Sequence, residues 1–516
     1  MAGLTHQLSL KELCAVVICA WLLFRVFLVT KRVVLTPLRH VPGPWYAPWT
    51  NLWLKYQVMT GNRSQYIHSL HQAYGPFVRI SPDEIAVADL PSIKHVYRVG
   101  SDFRKADWYQ KFNESAHPGL FSMIDAKQHA ARRRLFAQSF SNSSIVKFEA
   151  QIRQKVDTAI SKIRRDASAT HADGKGRADL LRWLTFMATD VIGELSFGTS
   201  FNMLEQEKKT PYIRDLETTM MIAGIRAELG FLGPLLRVAK HIPVGPVQNA
   251  LTLNDRMDEY GLAAIENHKR HVMAASQSND NGQMSPSNSN SNSSLFSKFL
   301  DPTRNQELSL PQISAEASNL IVAGSDTTAV SLTYLIWSVL RPRHRNVKQK
   351  LLAEIESLPI DASLAEISQL KYLQAVINES LRLYGAAPGS LPRVSPPGGA
   401  KLGGRYNIPE GTIVGAQAFT VHRDGAIFPD PDSFIPERWE QPTEAMKDAF
   451  FPFGLGSRVC LGIHLASNEL LLGAFVFFKT CPTAVLAEST TDSSMEMENY
   501  FLIAPRAHRC EVTTKG

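Results

Sequence analysis

Apolar residues along this chain fall into runs with three distinct periods. From Leu13 to Thr30 the sequence reads LCAVVICAWLLFRVFLVT, apolar throughout except for Arg25. A membrane span needs roughly 20 such residues, and an arginine near one end can snorkel to the surface. No small-residue cleavage site follows; Lys31, Arg32 and Arg39 do, so an uncleaved anchor fits better than a signal peptide. Those cations belong on the cytosolic side. The expected organisation is an anchor over residues 1–36 and one body over 37–516 facing the cytosol, joined by a stiff turn at Pro42-Gly43-Pro44.

Within the body the helical period dominates. Ser309 with Gln312 makes a capping box, Pro311 sits in the first turn, and helix-compatible residues continue to Arg341-Pro342. At 1.5 Å per residue such a helix is about 45 Å long and crosses the whole domain. Its middle is Ala323-Gly324-Ser325-Asp326-Thr327-Thr328, residues that weaken a helix or compete for its backbone; a local opening is expected there. A second helix over Leu370 to Tyr384 carries Leu373, Val376, Ile377, Leu381 and Tyr384 on one face, with Gly385 as its stop. Glu379 and Arg382 stand three apart on it, and an isolated pair of this kind is usually a solvated one. Period-two alternation is confined to short pieces such as Phe77-Val78-Arg79-Ile80 and Ile85-Ala86-Val87. Fold class is therefore mainly α with minor β. Residues 279–294, NDNGQMSPSNSNSNSS, are too polar to pack and read as a low-complexity loop.

Composition narrows the function classes. With 516 residues, 44% hydrophobic and 20% charged, the chain is an ordinary large folded protein, and no linker divides it into comparable blocks. The net charge of +7 suits an anionic membrane face or an acidic redox partner and gives no support for nucleic acid. Five cysteines, Cys14, Cys19, Cys460, Cys481 and Cys510, show neither a disulfide framework nor the paired spacing of a structural zinc site.

Cys460 stands apart from the others. It lies in Phe453-Gly454-Leu455-Gly456-Ser457-Arg458-Val459-Cys460-Leu461-Gly462, directly before a helical run, Ile463 to Leu472. A thiolate ligand needs nearby positive charge, backbone N–H donors and a helix N-terminus. Gly456 and Gly462 permit tight turns and close approach of a flat group, and Arg458 supplies charge. The pattern Phe-x-x-Gly-x-Arg-x-Cys-x-Gly, met at Phe453, Gly456, Arg458, Cys460 and Gly462, resembles the haem-binding signature of the cytochrome P450 superfamily.

Other segments carry the same resemblance. The stretch from Ala323 to Thr328 is similar to the family's oxygen-activation motif, which implies that Thr327 donates a hydrogen bond to dioxygen and that Asp326 helps relay protons. Glu379-x-x-Arg382 matches the family's Glu-x-x-Arg. Phe434-Ile435-Pro436-Glu437-Arg438-Trp439 looks like its Pro-Glu-Arg-Phe motif with Trp in the last place, and the implied structural triad is Glu379, Arg382 and Arg438. For the haem propionates, the helix around His129 and Arg133 is similar to the family's Trp-x-x-x-Arg, with His129 in place of Trp; Arg393 and Arg458 complete the set, while Arg132 and Arg134 fit a solvated face.

The resemblance implies a P450 fold behind a single N-terminal transmembrane helix. It also implies haem b with iron ligated by Cys460, dioxygen as co-substrate, and insertion of one oxygen atom into a small lipophilic substrate by hydroxylation or epoxidation. The chain has no dinucleotide or flavin motif, so electrons would come from NADPH through a cytochrome P450 reductase. The segment from Trp45 to Tyr56 and the Pro-Glu-Arg-Trp variant resemble membrane-anchored, microsomal enzymes of fungal secondary metabolism that act on terpenoid, polyketide or alkaloid scaffolds at the endoplasmic reticulum. The expected pocket segments are Trp108–Phe121, Met220–Phe231, Leu320–Ala323, Pro388–Leu391 and Tyr500–Ile503. Two other classes stay open: a haem-thiolate isomerase or dehydratase that needs no external electrons, and a haem-binding protein without turnover.

Overall fold

The structure is a computed structural model; it describes residues 10–112, 117–169, 176–208, 211–230, 294–296 and 308–514, with 252, 256, 259–263, 265, 266 and 270. Ten helices position everything discussed below: α1 (Leu10–Leu35), α2 (Leu52–Met59), α3 (Arg63–Tyr74), α4 (Ala126–Ala137), α5 (Glu149–Ser168), α6 (Leu180–Phe197), α7 (Pro211–Glu228), α8 (Leu310–Leu340), α9 (Lys371–Tyr384) and α10 (Ile463–Thr480). The low-complexity stretch, apart from Ser294, lies outside the described residues.

α1 realises the N-terminal apolar run as a helix with Val16, Val17, Ile18, Phe24 and Phe27 exposed. Among the described residues, the helix that meets a membrane span's requirements of length and composition is α8, and α8 is the buried core helix. It is capped by Ser309 and Gln312 as expected and ends at Arg341. Helices α6, α9 and α10 pack directly on it and α5 packs on α6 and α10, with Trp183, Phe186, Tyr334, Phe475 and Phe477 fully buried between them.

The expected opening in α8 is not found, because the helix runs unbroken from Leu310 to Leu340. Its hydroxyls turn back onto the helix instead: Ser325 Oγ donates to Ile321 O at 2.8 Å and Thr327 Oγ1 to Ala323 O at 2.7 Å. Back-bonding satisfies these side chains without breaking the ladder. Gly324 also has a packing role. A Cβ there would lie 2.8 Å from Ile192 Cγ1, so the glycine lets α8 lie close against α6.

The smaller half of the body is built on a five-stranded sheet. Its strands are β1 (Phe77–Ser81), β2 (Glu84–Val87), β3 (Arg104–Lys105), β4 (Arg393–Val394) and β5 (Ile413–Gly415), in the order β1-β2-β5-β4-β3. β2 and β5 are parallel; the other neighbours are antiparallel. Register pairs Lys105 with Arg393, which places two cations side by side at the sheet edge. A further hairpin, β6 (Met497–Asn499) with β7 (Ile503–Pro505), pairs Asn499 with Ile503.

Glu379 is the centre of the network that fixes the region before the cysteine loop. On α9 it accepts Arg382 Nε and Nη2 at 2.9 Å each, Arg438 Nε at 3.1 Å and the Ile435 N–H at 2.8 Å. The Trp in the Pro-Glu-Arg-Trp variant takes part: Trp439 Nε1 donates to Glu379 Oε2 at 2.9 Å, a bond that phenylalanine could not make. Arg382 spends its remaining N–H groups on the carbonyls of His422, Pro431 and Ser433. Gly385 ends α9 as expected, with φ −57°, outside the left-handed region.

Removing one member of a buried charge network leaves the others uncompensated. Glu379→Ala is expected to cost about 3–5 kcal/mol in urea unfolding. Trp439→Phe, which loses one hydrogen bond and keeps the ring, is expected to cost about 1–2 kcal/mol; equal losses for the two variants would show that Glu379 does not hold the arginines.

Candidate active site

A cavity of about 400 Å³ separates α8 from the cysteine loop. One wall carries Ala323, Gly324, Thr327 and Thr328 of α8; the other carries Phe453, Gly454, Leu455, Arg458, Val459, Cys460, Leu461 and Gly462. Asp326 does not line it and is half-buried on α8 beside Thr327.

The loop's shape follows from its glycines. Gly454 and Gly456 hold positive φ of 79° and 63°, values that cost an L side chain 1 kcal/mol or more, roughly. At Gly456 a Cβ would also meet Tyr97 O at 1.8 Å. Gly456 is therefore required for packing on the neighbouring helix and is not itself part of the cavity wall. At Gly462, by contrast, an added Cβ meets nothing within 4 Å; this glycine keeps cavity space free. Cys460 N donates to Phe453 O at 2.9 Å, which folds the loop back and turns the thiol toward the cavity.

Cys460 is enclosed by protein yet open to the cavity. Burial pushes its thiol up, opposed by the Gly462 N–H and the Arg133 guanidinium. The charge acting on the sulfur thus comes from Arg133, which donates through Nη1 to Val459 O at 2.8 Å, more than from Arg458. The N-terminus of α10 begins three residues later.

Positive charge converges on one edge of the cavity. His129 and Arg133, four apart on α4, both line it, as do Arg393 and Arg458. Arg458 is held by backbone only, donating to Met123 O at 2.8 Å and Ile124 O at 3.1 Å. Arg393 lies 4.9 Å from the Tyr97 ring centroid and donates to Pro392 O at 3.2 Å. Burial and neighbouring Arg393 push Arg458 down to about 10. Burial, then Arg458 and its neighbours, push His129 down to about 3, so its imidazole is neutral. Arg132 corrects an expectation: it is buried and pairs with Glu316 of α8 at 2.9 Å, while only Arg134 keeps an exposed face.

Three residues were not anticipated. Lys105, the cross-strand neighbour of Arg393, is buried, donates to Phe121 O and sits 3.9 Å from the Tyr109 ring centroid; burial and the arginines push it well below its ordinary value. A two-residue strand has no alternation from which to recognise it. Glu469, the one acid in the apolar run of α10, accepts Thr328 Oγ1 at 3.1 Å, and burial raises its carboxyl to about 8. His422 accepts the Phe451 N–H at Nε2 (3.1 Å), which leaves Nδ1 to donate to Arg382 O at 3.0 Å. Through it the Glu379 network reaches the cysteine loop.

The remaining lining is aromatic and aliphatic. Tyr109, Phe112, Leu120 and Phe121, then Ala223, Leu320, Val322, Gly389, Leu391, Phe501 and Leu502 come from all five expected segments. Trp108 backs Phe112 at 5.1 Å without lining the cavity. Residues 113–116 and Phe231 lie outside the described residues.

A buried thiol facing a helix across a cavity edged with cations is the arrangement on which comparison with known proteins bears, and the cytochrome P450 profile matches residues 41–511. The chain belongs to the cytochrome P450 family. It is 41% identical to the cytochrome P450 monooxygenase tazI of Aspergillus terreus, covering 95% of this chain and 96% of that protein. To the cytochrome P450 monooxygenase stcB of Emericella nidulans it is 38% identical, over 93% and 89%. To the benzoate 4-monooxygenase bphA of Aspergillus niger it is 30% identical, over 91% of each.

Membership of the P450 family implies a haem with a thiolate-ligated iron, and this cavity's donors fit that group. Like charges directly opposite one another in a sheet, as at Lys105 and Arg393, repel; with Arg133 and Arg458 they form a buried excess of cations that two haem carboxylates would neutralise.

Glu469 provides a test that needs no substrate. A carboxyl at about 8 when folded and near 4.5 when unfolded takes up a proton on folding between those values, so its contribution to stability is full below about pH 4.5 and lost as pH rises toward 8. The slope reaches at most about 1.4 kcal/mol per pH unit. Glu469→Gln, neutral at every pH, is expected to flatten the fall in urea stability between pH 6 and pH 8; a wild-type and variant difference that does not change with pH would mean that the carboxyl is ionised in the fold.

Proposed function

We propose that this P450 is a haem-thiolate monooxygenase that inserts one atom of dioxygen into a lipophilic, ring-bearing substrate of fungal secondary metabolism. The observation that carries this reading is Cys460, presented to the cavity opposite Thr327 and flanked by Arg133, Arg393, Arg458 and Lys105. Haem bound there supplies reductive activation of dioxygen, and thiolate donation favours O–O cleavage.

The chain's own residues do the rest. Cys460 is the iron ligand, its charge balanced by Arg133 and the Gly462 N–H. Arg133, Arg393, Arg458 and Lys105 hold the propionates, with neutral His129 donating one further hydrogen bond. Thr327 can release the Ala323 carbonyl and donate into the cavity at little cost, since one back-bond exchanges for another. Asp326 lies off the cavity wall and passes protons to Thr327 indirectly. Glu379, Arg382 and Arg438 hold the region that presents Cys460. Phe112, Phe121 and Phe501, in mutual edge and tilted contact at 4.8–5.5 Å, exclude water and select flat apolar substrates.

Electrons reach the haem from NADPH through a separate cytochrome P450 reductase. α1, exposed and apolar, anchors the protein in the endoplasmic reticulum membrane with residues 37–516 as a cytosolic catalytic body.

The dithionite-reduced protein with carbon monoxide is expected to give the strongly red-shifted Soret band of thiolate ligation, and Cys460→Ala to abolish it; a retained band would remove Cys460 as the ligand. Thr327→Ala is expected to keep the band while diverting NADPH-derived electrons to peroxide in the presence of reductase and substrate. Product formed without NADPH consumption would instead indicate an isomerase.

A further inference from the structure

Away from Cys460 and the cation edge, polar side chains line the cavity in two groups. One is Thr327, Thr328 and Ser331 with Glu469, on the side of α10; the other is Glu316, Ser318 and Asn319, earlier on α8. Two members of the second group serve packing. Glu316 accepts the Leu120 N–H at 3.1 Å and Arg132 Nη1 at 2.9 Å, which ties the loop carrying Leu120 and Phe121 to α8. Ser318 Oγ packs against Gly261, where a Cβ would meet it at 2.3 Å. Asn319 is the third.

Its position is an unfavourable one for asparagine. It opens the apolar stretch Asn319-Leu320-Ile321-Val322-Ala323 inside a helix, where Asn is a poor former because its side chain competes for the backbone. Asn319, Ala323 and Thr327 stand four apart on one helix face, and all three line the cavity, so the carboxamide lies about 12 Å along α8 from Thr327. Gly119 keeps the space for it. A Cβ at Gly119 would meet Asn319 Nδ2 at 2.1 Å and Glu316 Oε2 at 3.1 Å, and Gly119 does not have a positive φ. Room for the carboxamide, and not a turn, therefore requires the glycine.

We infer that Asn319 is a specificity-determining residue, whose carboxamide hydrogen-bonds a neutral hydroxyl or ketone oxygen at one end of an extended ring system that reaches Thr327 with its other end. The inference rests on the reading of the cavity as that of a haem-thiolate monooxygenase and names its substrate class: a polycycle already oxygenated at the end remote from the position attacked. A carboxamide has two donors and an acceptor oxygen, so it can keep a protein partner and still bond a ligand, accepting from a hydroxyl or donating to a ketone. Apolar walls such as Leu120, Phe121 and Leu320 discriminate weakly between similar rings, whereas a polar group left unpaired by the wrong ligand discriminates strongly. Glu316 Oε2 beside the amide disfavours a carboxylate at this end, since like charges in contact are costly.

The test titrates full-length holoprotein with anthracene, 2-hydroxyanthracene and anthracene-2-carboxylate, following the haem absorption spectrum. The carbon monoxide band certifies thiolate-ligated haem in each protein; a wild type without it would overturn the monooxygenase reading and this inference with it, while the outcomes below, with the band present, bear on Asn319 alone. The wild type is expected to bind 2-hydroxyanthracene about tenfold more tightly than anthracene, the effect of one neutral hydrogen bond, and to bind the carboxylate more weakly than the hydroxyl probe. Asn319→Leu is expected to bring the hydroxyl probe to the affinity of anthracene and leave anthracene unchanged. Gly119→Ala, whose methyl takes the place of Nδ2, is expected to reduce the preference as well and carries the test if Asn319→Leu binds no haem. A wild type that prefers anthracene or the carboxylate, or binds none of the three, would overturn the inference. A preference retained in both variants would do the same, and so would an equal loss for the hydroxyl probe and anthracene, which would leave Asn319 a structural role only.

Discussion

Keeping a thiolate inside a protein is costly unless charge and hydrogen bonds around it compensate, and the cavity wall around Cys460 is arranged to do so. Burial alone raises the thiol, while the Gly462 N–H and Arg133 act in the opposite direction. The geometry that lets them act depends on positive φ at Gly454 and Gly456, and Gly456 has no room for a side chain against Tyr97. The loop therefore cannot relax toward an ordinary turn without losing its packing, so its conformation is imposed by its surroundings.

Those surroundings are imposed from farther away. Phe451, two residues before Phe453, is held by His422, whose other nitrogen donates to Arg382 O, and Arg382 is held by Glu379. A buried ion pair contributes little net stability compared with an apolar alternative. What it contributes here is position: Glu379 accepts from Arg382, Arg438, Trp439 and the Ile435 N–H at once, which fixes the segment leading into the loop relative to α9. On the cavity's other edge the cations repel one another. Lys105 and Arg393 face each other across a ladder, and burial together with Arg393 pushes the Lys105 ammonium well below its ordinary value. A cofactor carrying two carboxylates removes that repulsion, so haem binding and the closing of this edge would be coupled.

How much of this was legible in the sequence depended on whether the signal was local. The capping box at Ser309 and Gln312, the apolar face of α9 and the cysteine loop are short-range patterns, and they stand in the structure where the sequence places them. The opening expected in α8 failed because propensity counts Ser and Thr as competitors of the ladder, whereas Ser325 and Thr327 satisfy themselves by back-bonding within it. Arg132 was misjudged because its partner, Glu316, is 184 residues away. Lys105 was missed because its role arises from register with Arg393, across nearly three hundred residues of chain. Glu469 did leave a local trace, a lone acid amid the leucines of α10, and only the position of Thr328 explains it.

The same distinction separates the two sides of the body. Around Cys460 the polar side chains Arg133, Arg458, His422 and Thr328 each bond to a distant part of the chain, so the site is specified from within. From Trp45 to Met59 the outward apolar side chains are exposed while Ala47, Leu54 and Val58 pack inward, and the segment is tied to the body by Arg79 N to Pro42 O and by Tyr46 OH with Tyr66 OH. Rigid support under an uncovered apolar surface differs from a frayed terminus, where both backbone and side chain would be loose. That support is shared with the β6–β7 hairpin, bonded through Asn499 to Gly61 and Ser64, whose tip carries Phe501 into the cavity wall.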